Sequence, residues 1–412
     1  MGTMSRPAAP DVAAPAAPGP AAESRTWRWG VPLAVFVASR LVDTMLLVAA
    51  GGRQIQLTGA NFPFYMFRAF PSHPGYLDLI TTWDGQYYDA IATEGYAAPA
   101  GALNPQGRSL AWAFPPGFPM ATRALMTVTH WSFPLAATVL NVALAGVAVV
   151  VLYDLVRRTA DRFVAVAVVA TTSFFVSAPL LQTAYSESAA FLLLVLALRA
   201  ISDRRWGRAA VWVVALMFTR IVTPPLAAVA VGCLLWQWRR GGVVPKAEVL
   251  RAALFSALAL FGGFAWPLVV SRLQPDNPGA SRASAAVAHS VSWLGQAYTN
   301  AGIVGLVLVT LGAGILLLAP WTSIGRAMGP ELVIWTFGYC VMLLLVTPIQ
   351  PGMLRYLLLA PGLLLPCLAP VRRLQRARWV ALAGFVALLS VVQWWYVDSL
   401  IRVGSTSQGF GP

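Results

Sequence analysis

The chain has 412 residues, of which 58% are hydrophobic and only 11% charged, a balance that excludes an ordinary soluble globule. Its net charge of +14 comes from 29 basic residues, one of them lysine. Most fall in short loops between apolar runs, so the charge reads as a topology signal and nucleic acid is not an expected partner.

Residues 1–24 are rich in Ala and Pro and are expected to form a disordered cytoplasmic tail. The Ala/Pro run precedes the first apolar segment and no cleavage pattern follows that segment, so it is not read as a signal peptide. A membrane domain is expected over 25–402, with a short outer tail at 403–412. Apolar runs recur at about the 20-residue length that lets a helix cross a bilayer. The first spans about Gly30 to Ala50, behind Arg25 and Arg28, which places the N-terminus inside the cell. A long outer loop, 51–132, follows.

Further spans are expected at about 133–155, 163–178, 189–201, 209–218, 223–236, 249–270, 301–319, 331–346, 357–369 and 379–397. The pair at 209–218 and 223–236 reads as a hairpin with Arg220 near its outer turn; a single kinked helix is the alternative. The total is about 11 transmembrane helices in an all-α, polytopic fold. Under this count every strongly basic loop lands inside. The outer connections include 271–299, with Arg272, Asp276, Arg282 and His289, and the Thr347–Tyr356 stretch.

The densest polar and aromatic run in the chain lies in the first outer loop, from Trp83 through Asp84, Gly85, Gln86, Tyr87, Tyr88 and Asp89 to Glu94, Gly95 and Tyr96. It reads as a short helix that Thr81 or Thr82 can cap and Gly95 can end. Asp84 falls in the first turn, where backbone N–H groups favour a carboxylate. Tyr87 and Tyr88 follow at three and four residues and share its face. Asp89, five residues on, points elsewhere, so the two aspartates do not read as an acid–base pair. Downstream, Ala113-Phe114-Pro115-Pro116-Gly117-Phe118-Pro119 is too rich in Pro for a regular helix.

Charges at membrane depth or on the outer side are the informative exceptions. Arg40 and Asp43 lie three apart in the first span, where a mutual ion pair is the plain alternative to a site. Glu187 opens a span after Tyr185-Ser186, where a helix-start role is the alternative. Arg68, Arg123, Arg220 and Arg355 run against the positive-inside bias. Cys233, Cys340 and Cys367 lie in apolar runs without metal-ligand spacing and read as packing. No zinc, P-loop or dinucleotide motif occurs, and no cofactor is expected.

One carboxylate, several Arg and many aromatic rings on the outer face suit transfer of a sugar from a lipid-linked phosphate to an alcohol. Cations stabilise a departing phosphate, and a carboxylate can take the proton of the acceptor hydroxyl. One base without a nucleophile implies a single, inverting displacement. Asp84→Asn is then expected to abolish turnover while leaving folding and donor binding nearly intact.

Trp83-Asp84-Gly85-Gln86-Tyr87-Tyr88 with Ile91-Ala92 and Gly95-Tyr96, then Ala113-Phe114-Pro115-Pro116, then Tyr185-Ser186-Glu187-Ser188, resemble the PIG-V type of mannosyltransferase, relatives of GPI mannosyltransferase 2 that also occur in bacteria, especially actinobacteria. Ser39-Arg40-Leu41 and Arg355-Tyr356 also resemble that family. The resemblance implies a GT-C fold in which outer-loop helices cap the membrane domain. It further implies a polyprenyl-phosphate sugar as co-substrate, mannose as the sugar, and Asp84 as the base. Arg40, Trp83, Tyr87, Tyr88, Glu187, Arg220, Arg355 and Tyr356 are the candidate substrate-binding residues. The implied partners are the lipid bilayer, the lipid-linked donor, and a glycolipid, glycan or protein acceptor, at the cell membrane. The chain departs from the family at Phe114-Pro115-Pro116-Gly117-Phe118-Pro119, where Phe-Phe-Pro-Leu-Tyr-Pro is common. Two other functions compete: a lipid or glycolipid transporter without chemistry, which predicts internal symmetry, and a non-catalytic envelope scaffold, which has no use for Asp84 among aromatic rings.

Overall fold

A computed structural model describes residue 24 and residues 26–58, 68–96, 110–275, 292–347 and 352–404. The expected tail before residue 24, the outer-loop residues Asp276, Arg282 and His289, the Pro348–Pro351 break and residues 405–412 lie outside the described residues. Among those described, the architecture is helical, and the one extended pairing is an isolated bridge between Leu57 and Phe70.

The longer helices are α1 (Val31–Gly51), α2 (Asp84–Glu94), α3 (Gly117–Thr129), α4 (Phe133–Arg157), α5 (Arg162–Ser173) and α6 (Glu187–Ser202). They continue as α7 (Trp206–Met217), α8 (Pro225–Arg239), α9 (Lys246–Leu273), α10 (Ser292–Leu318), α11 (Pro330–Val346) and α12 (Ala377–Tyr396). Among the described residues, five helical stretches are long and apolar enough to cross a membrane: 27–51, 133–157, 246–273, 302–321 and 377–401. At about 1.5 Å per residue the remaining apolar helices fall short of a hydrocarbon core alone. The expected figure of about 11 spans is therefore not reproduced by helix length.

The packing is that of a protein solvated by lipid. Every residue of α5 from Phe163 to Ser173 is buried, packed against α1 and α4. The outer helices turn large apolar side chains outward: Val37, Leu41 and Met45 on α1, Leu254, Phe261 and Phe264 on α9, Ile303, Leu311 and Ile315 on α10, and Val380, Leu388 and Val391 on α12. Such contiguous apolar surface is costly in water and suits a bilayer.

Three sequence expectations change. The segment 357–369, expected as a span, forms two short 3-10 turns, Leu357–Leu359 and Leu365–Leu368. Pro361 and Pro366 lack amide donors and crowd the preceding turn, which stops a regular helix. Conversely, the Pro-rich stretch at 113–119 leads directly into α3 at Gly117. Pro119 is tolerated there because first-turn amides have no helical acceptor anyway. Thr81 and Thr82 do not cap α2; their hydroxyls turn back to the carbonyls of Asp78 and Leu79. The hairpin of α7 and α8 forms as expected, with Arg220 at its turn.

Ion pairs mark one end of the bundle. Arg28 pairs with Asp154 and Arg158 with Asp203, while Arg204 reaches Glu248 at 3.3 Å and Gln237 at 2.7 Å. These groups sit at the C-terminal ends of α4, α6 and α8 and the start of α9. Toward the opposite ends lie Asn141 on α4, Glu187 at the start of α6 and Arg220 in the connection before α8, and there the candidate site is built.

Candidate active site

Asp84 is placed by an unusual turn. Trp83 precedes it with φ 55° and ψ −121°, a left-handed conformation that costs a bulky residue about 1–3 kcal/mol. One long-range and one local hydrogen bond hold it there. The Trp83 indole N–H donates to the carbonyl of Ile401 at 2.9 Å, and the Gln86 amide donates to the carbonyl of Trp83 at 2.9 Å. Gly95 ends the helix at φ 82° as expected.

The two tyrosines of α2 join the helix to the Pro-rich motif. Tyr87 stacks on Phe114 with ring centroids 5.2 Å apart, while Tyr88 meets Phe114 and Phe118 edge-on. The Tyr88 hydroxyl donates to Ser186 Oγ at 2.9 Å. Burial, with Asp84 adding to it, pushes the Tyr87 phenol up to about 12. Burial also pushes Tyr88 above the ordinary phenol range, reinforced by Glu187 and Asp84. Neither ring supplies a phenolate base at neutral pH. On the other face, Asp89 pairs with Arg68, which also reaches Glu94 at 3.3 Å. Burial raises the Asp89 carboxyl above its usual range, and Arg68 opposes the shift. The two aspartates are thus separate.

The second wall is the segment 183–187. Asn141, fully buried on α4, donates to the carbonyls of Thr183 and Tyr185 at 2.5 and 2.9 Å. The Ala184 amide donates to the carbonyl of Ile80 at 3.1 Å, and the Tyr185 hydroxyl donates to that of Thr82 at 3.2 Å. This stitching presents Glu187 at the first position of α6.

Glu187 is an ion-pair centre and not a cap. Its Oε1 lies 2.9 Å from Arg220 Nη1 and 2.6 Å from Arg355 Nε. Arg355, on the single turn Met353–Tyr356, also places Nη1 2.5 Å from Asp84 Oδ2. Its guanidinium lies over the rings of Tyr185 and Tyr356, at 5.2 and 5.5 Å. Arg220 lies over Tyr356 from its own side, at 5.1 Å.

A cavity of about 530 Å³ opens on this cluster. Of the residues singled out in the sequence, Trp83, Asp84, Tyr87, Tyr88, Arg220, Arg355 and Tyr356 line it. Glu187 sits behind the two arginines, and Arg40 is elsewhere. Arg40 pairs with Asp43 at 2.7 Å and donates to the carbonyls of Ala178 and Ser173 at 2.9 and 3.2 Å, tying α1 to the connection between α5 and α6. The sequence reading did not single out Asn141 or the lining residues Tyr339, Met342, Leu343 and Val346. Asn141 carried a signal, a lone amide within an apolar run; the α11 residues carried none. The lining therefore combines charged groups, Asp84, Arg220 and Arg355, with apolar side chains from α11 and Ile221–Val222. Among the described residues no three His, Cys, Asp or Glu side chains gather as a metal site.

No protein-family model matches the chain, and no curated protein matches it in sequence. Several solved structures resemble it, two of them as follows. One is the crystal structure of the Archaeoglobus fulgidus oligosaccharyltransferase in complex with Zn and sulfate, at a TM-score of 0.47 and 14% identity over 90% of this chain and 54% of that one. The other is the archaeal oligosaccharyltransferase AglB from Archaeoglobus fulgidus in complex with an inhibitory peptide and a dolichol-phosphate, at a TM-score of 0.44 and 15% identity over 94% of this chain and 57% of that one. This chain thus spans a little over half the length of each, and no residue role is carried across.

Proposed function

We propose that the protein is a membrane glycosyltransferase that moves a hexose from a polyprenyl-phosphate carrier to an alcohol acceptor. The observation that carries this reading is the cavity itself. A partly exposed carboxylate and two guanidinium groups line it together with apolar side chains of α11 and of Ile221 and Val222. The guanidinium groups fit a phosphate and the apolar side chains fit an isoprenoid chain. Asp84 is the side chain able to accept a proton beside them.

In the proposed reaction the acceptor oxygen attacks the anomeric carbon as the bond from that carbon to the phosphate oxygen breaks. Asp84 takes the acceptor proton, and the phosphate leaves with the bonding pair as polyprenyl phosphate, stabilised by Arg355 and Arg220. With a single base and no nucleophile, the sugar carbon inverts. The PIG-V-like motifs around Trp83–Tyr88, Phe114–Pro116 and Tyr185–Ser188 favour mannose as the sugar and a glycolipid, glycan or protein as the acceptor. The basic helix ends lie opposite the cavity, which by the positive-inside bias supports an extracytoplasmic site in the cell membrane and a cytoplasmic N-terminus. Residues 51–132 then form the outer loop that caps a membrane domain over 25–402.

The deciding experiment presents the purified protein in lipid nanodiscs with a panel of polyprenyl-phosphate sugars and membrane-extracted acceptors. Transfer from one of them, lost on replacing Asp84, is the expected result. Lipid movement across vesicles with no transfer from any donor would identify a transporter instead.

A further inference from the structure

Four charges meet at the cavity, two carboxylates and two guanidinium groups, and they cancel. An arriving phosphate adds a negative charge where the Arg355 side chain is 9% exposed, so water screens little of the imbalance. One carboxylate has to give way.

The two are held very differently. Glu187 is 1% exposed and gripped by both arginines. Both residues open a helix, so the difference lies in burial and in the number of arginines that hold each. Asp84 is 27% exposed, lines the cavity, and meets Arg355 at its Nη1. The rings of Tyr185 and Tyr356 pack against the Arg355 guanidinium, so an anion reaches it at an edge, and Asp84, itself lining the cavity, holds Nη1.

We propose that the donor phosphate displaces Asp84 from Arg355, and that this exchange releases the carboxylate that then receives the acceptor proton. The inference rests on the transferase reading above. Until donor arrives, Asp84 Oδ2 is engaged by the guanidinium; afterwards both its oxygens are available to the acceptor. Donor therefore binds first, and the base is set free only when there is a leaving group to transfer from.

The exchange makes a prediction opposite to that of a base standing apart from the phosphate. The probe is a radiolabelled, sugar-free polyprenyl monophosphate, and the readout is its equilibrium binding to the full-length protein in nanodiscs. Asp84→Asn removes the competing charge with little change of shape and should bind the probe on the order of tenfold more tightly than wild type, a gain of about 1.4 kcal/mol. Asp84→Glu keeps the competitor and should show no such gain. Asp89→Asn removes the same charge from the same helix but from the Arg68 pair, and should leave affinity unchanged. Equal or weaker binding by Asp84→Asn overturns the exchange, as does an equal gain in Asp89→Asn, which would assign the effect to overall charge. Failure of either wild type or Asp84→Asn to bind the probe also overturns it. The transferase reading is judged separately: selective tightening in Asp84→Asn with no sugar transfer by the wild type keeps the exchange and removes the transferase.

Discussion

The Tyr185 hydroxyl donates to the carbonyl of Thr82 across 3.2 Å, binding the segment ahead of Glu187 to the turn ahead of Asp84. Tyr185→Phe keeps the ring against Arg355 and removes that bond. A single hydrogen bond contributes about 1 kcal/mol, so kcat should fall roughly fivefold at an unchanged donor KM, with the melting temperature lowered by only a few degrees. Steady-state transfer kinetics beside thermal unfolding separate this positioning role from general damage.

Asn141 supports the same segment from beneath. Asn141→Ala strips its two amide bonds to the Thr183 and Tyr185 carbonyls, at a cost of about 1–3 kcal/mol per group left unsatisfied. Asn141→Asp should be worse, because a carboxylate would face two carbonyl oxygens. Both should lower the apparent melting temperature in nanodiscs.

Asp84→Asn should lose turnover by a factor on the order of 10²–10⁴, the usual contribution of a general base. Asp89→Asn breaks only the part-exposed pair with Arg68 and should cost far less. Initial rates of labelled-sugar transfer compare the two. An Asp84→Asn protein that transfers at near wild-type rate would remove the mechanism.

Arg355→Ala should raise the donor KM far more than the acceptor KM, since the phosphate loses its principal cation. Arg355→Lys should restore part of the loss, because an ammonium replaces a planar fork. Equal changes in both constants would instead indicate a collapsed site.

Gly117 sits against the loop that carries Arg220. Its amide donates to the Phe218 carbonyl at 2.6 Å, and a Cβ there would stand 2.4 Å from Thr219 Oγ1 and 2.7 Å from that carbonyl. Gly117→Ala should destabilise by about 1–3 kcal/mol and shift the Phe114 wall relative to Arg220. Gly384→Ala, in α12 with nothing within 4 Å, should gain up to about 1 kcal/mol of helix stability. Thermal unfolding of the two variants makes the comparison.

Much of the site was legible because its signals are local. Asp84, Tyr87 and Tyr88 share a face by helical spacing, Asp89 leaves it by the same arithmetic, and Gly95 marks the end of α2. Arg40 and Asp43 pair at three residues' separation. What stayed hidden depends on distant partners. Trp83 adopts its strained turn through a carbonyl 318 residues away. Glu187 reads locally as a helix-start residue, and only the arrival of Arg220 and Arg355 makes it an ion-pair centre. The segment 357–369 passes every composition test for a span, yet its prolines prevent the helix that composition assumes.

The contact between Trp83 and Ile401 has a consequence for biosynthesis. A chain emerging from its N-terminus exposes Asp84 early, but the acceptor that holds the turn before it is made more than three hundred residues later. Arg355, the counter-charge, also arrives after most helices have entered the membrane. During that interval Asp84 lacks both its cation and the bond that holds its turn, so the proposed site is assembled only once the closing turn at Val397–Ile401 has been made.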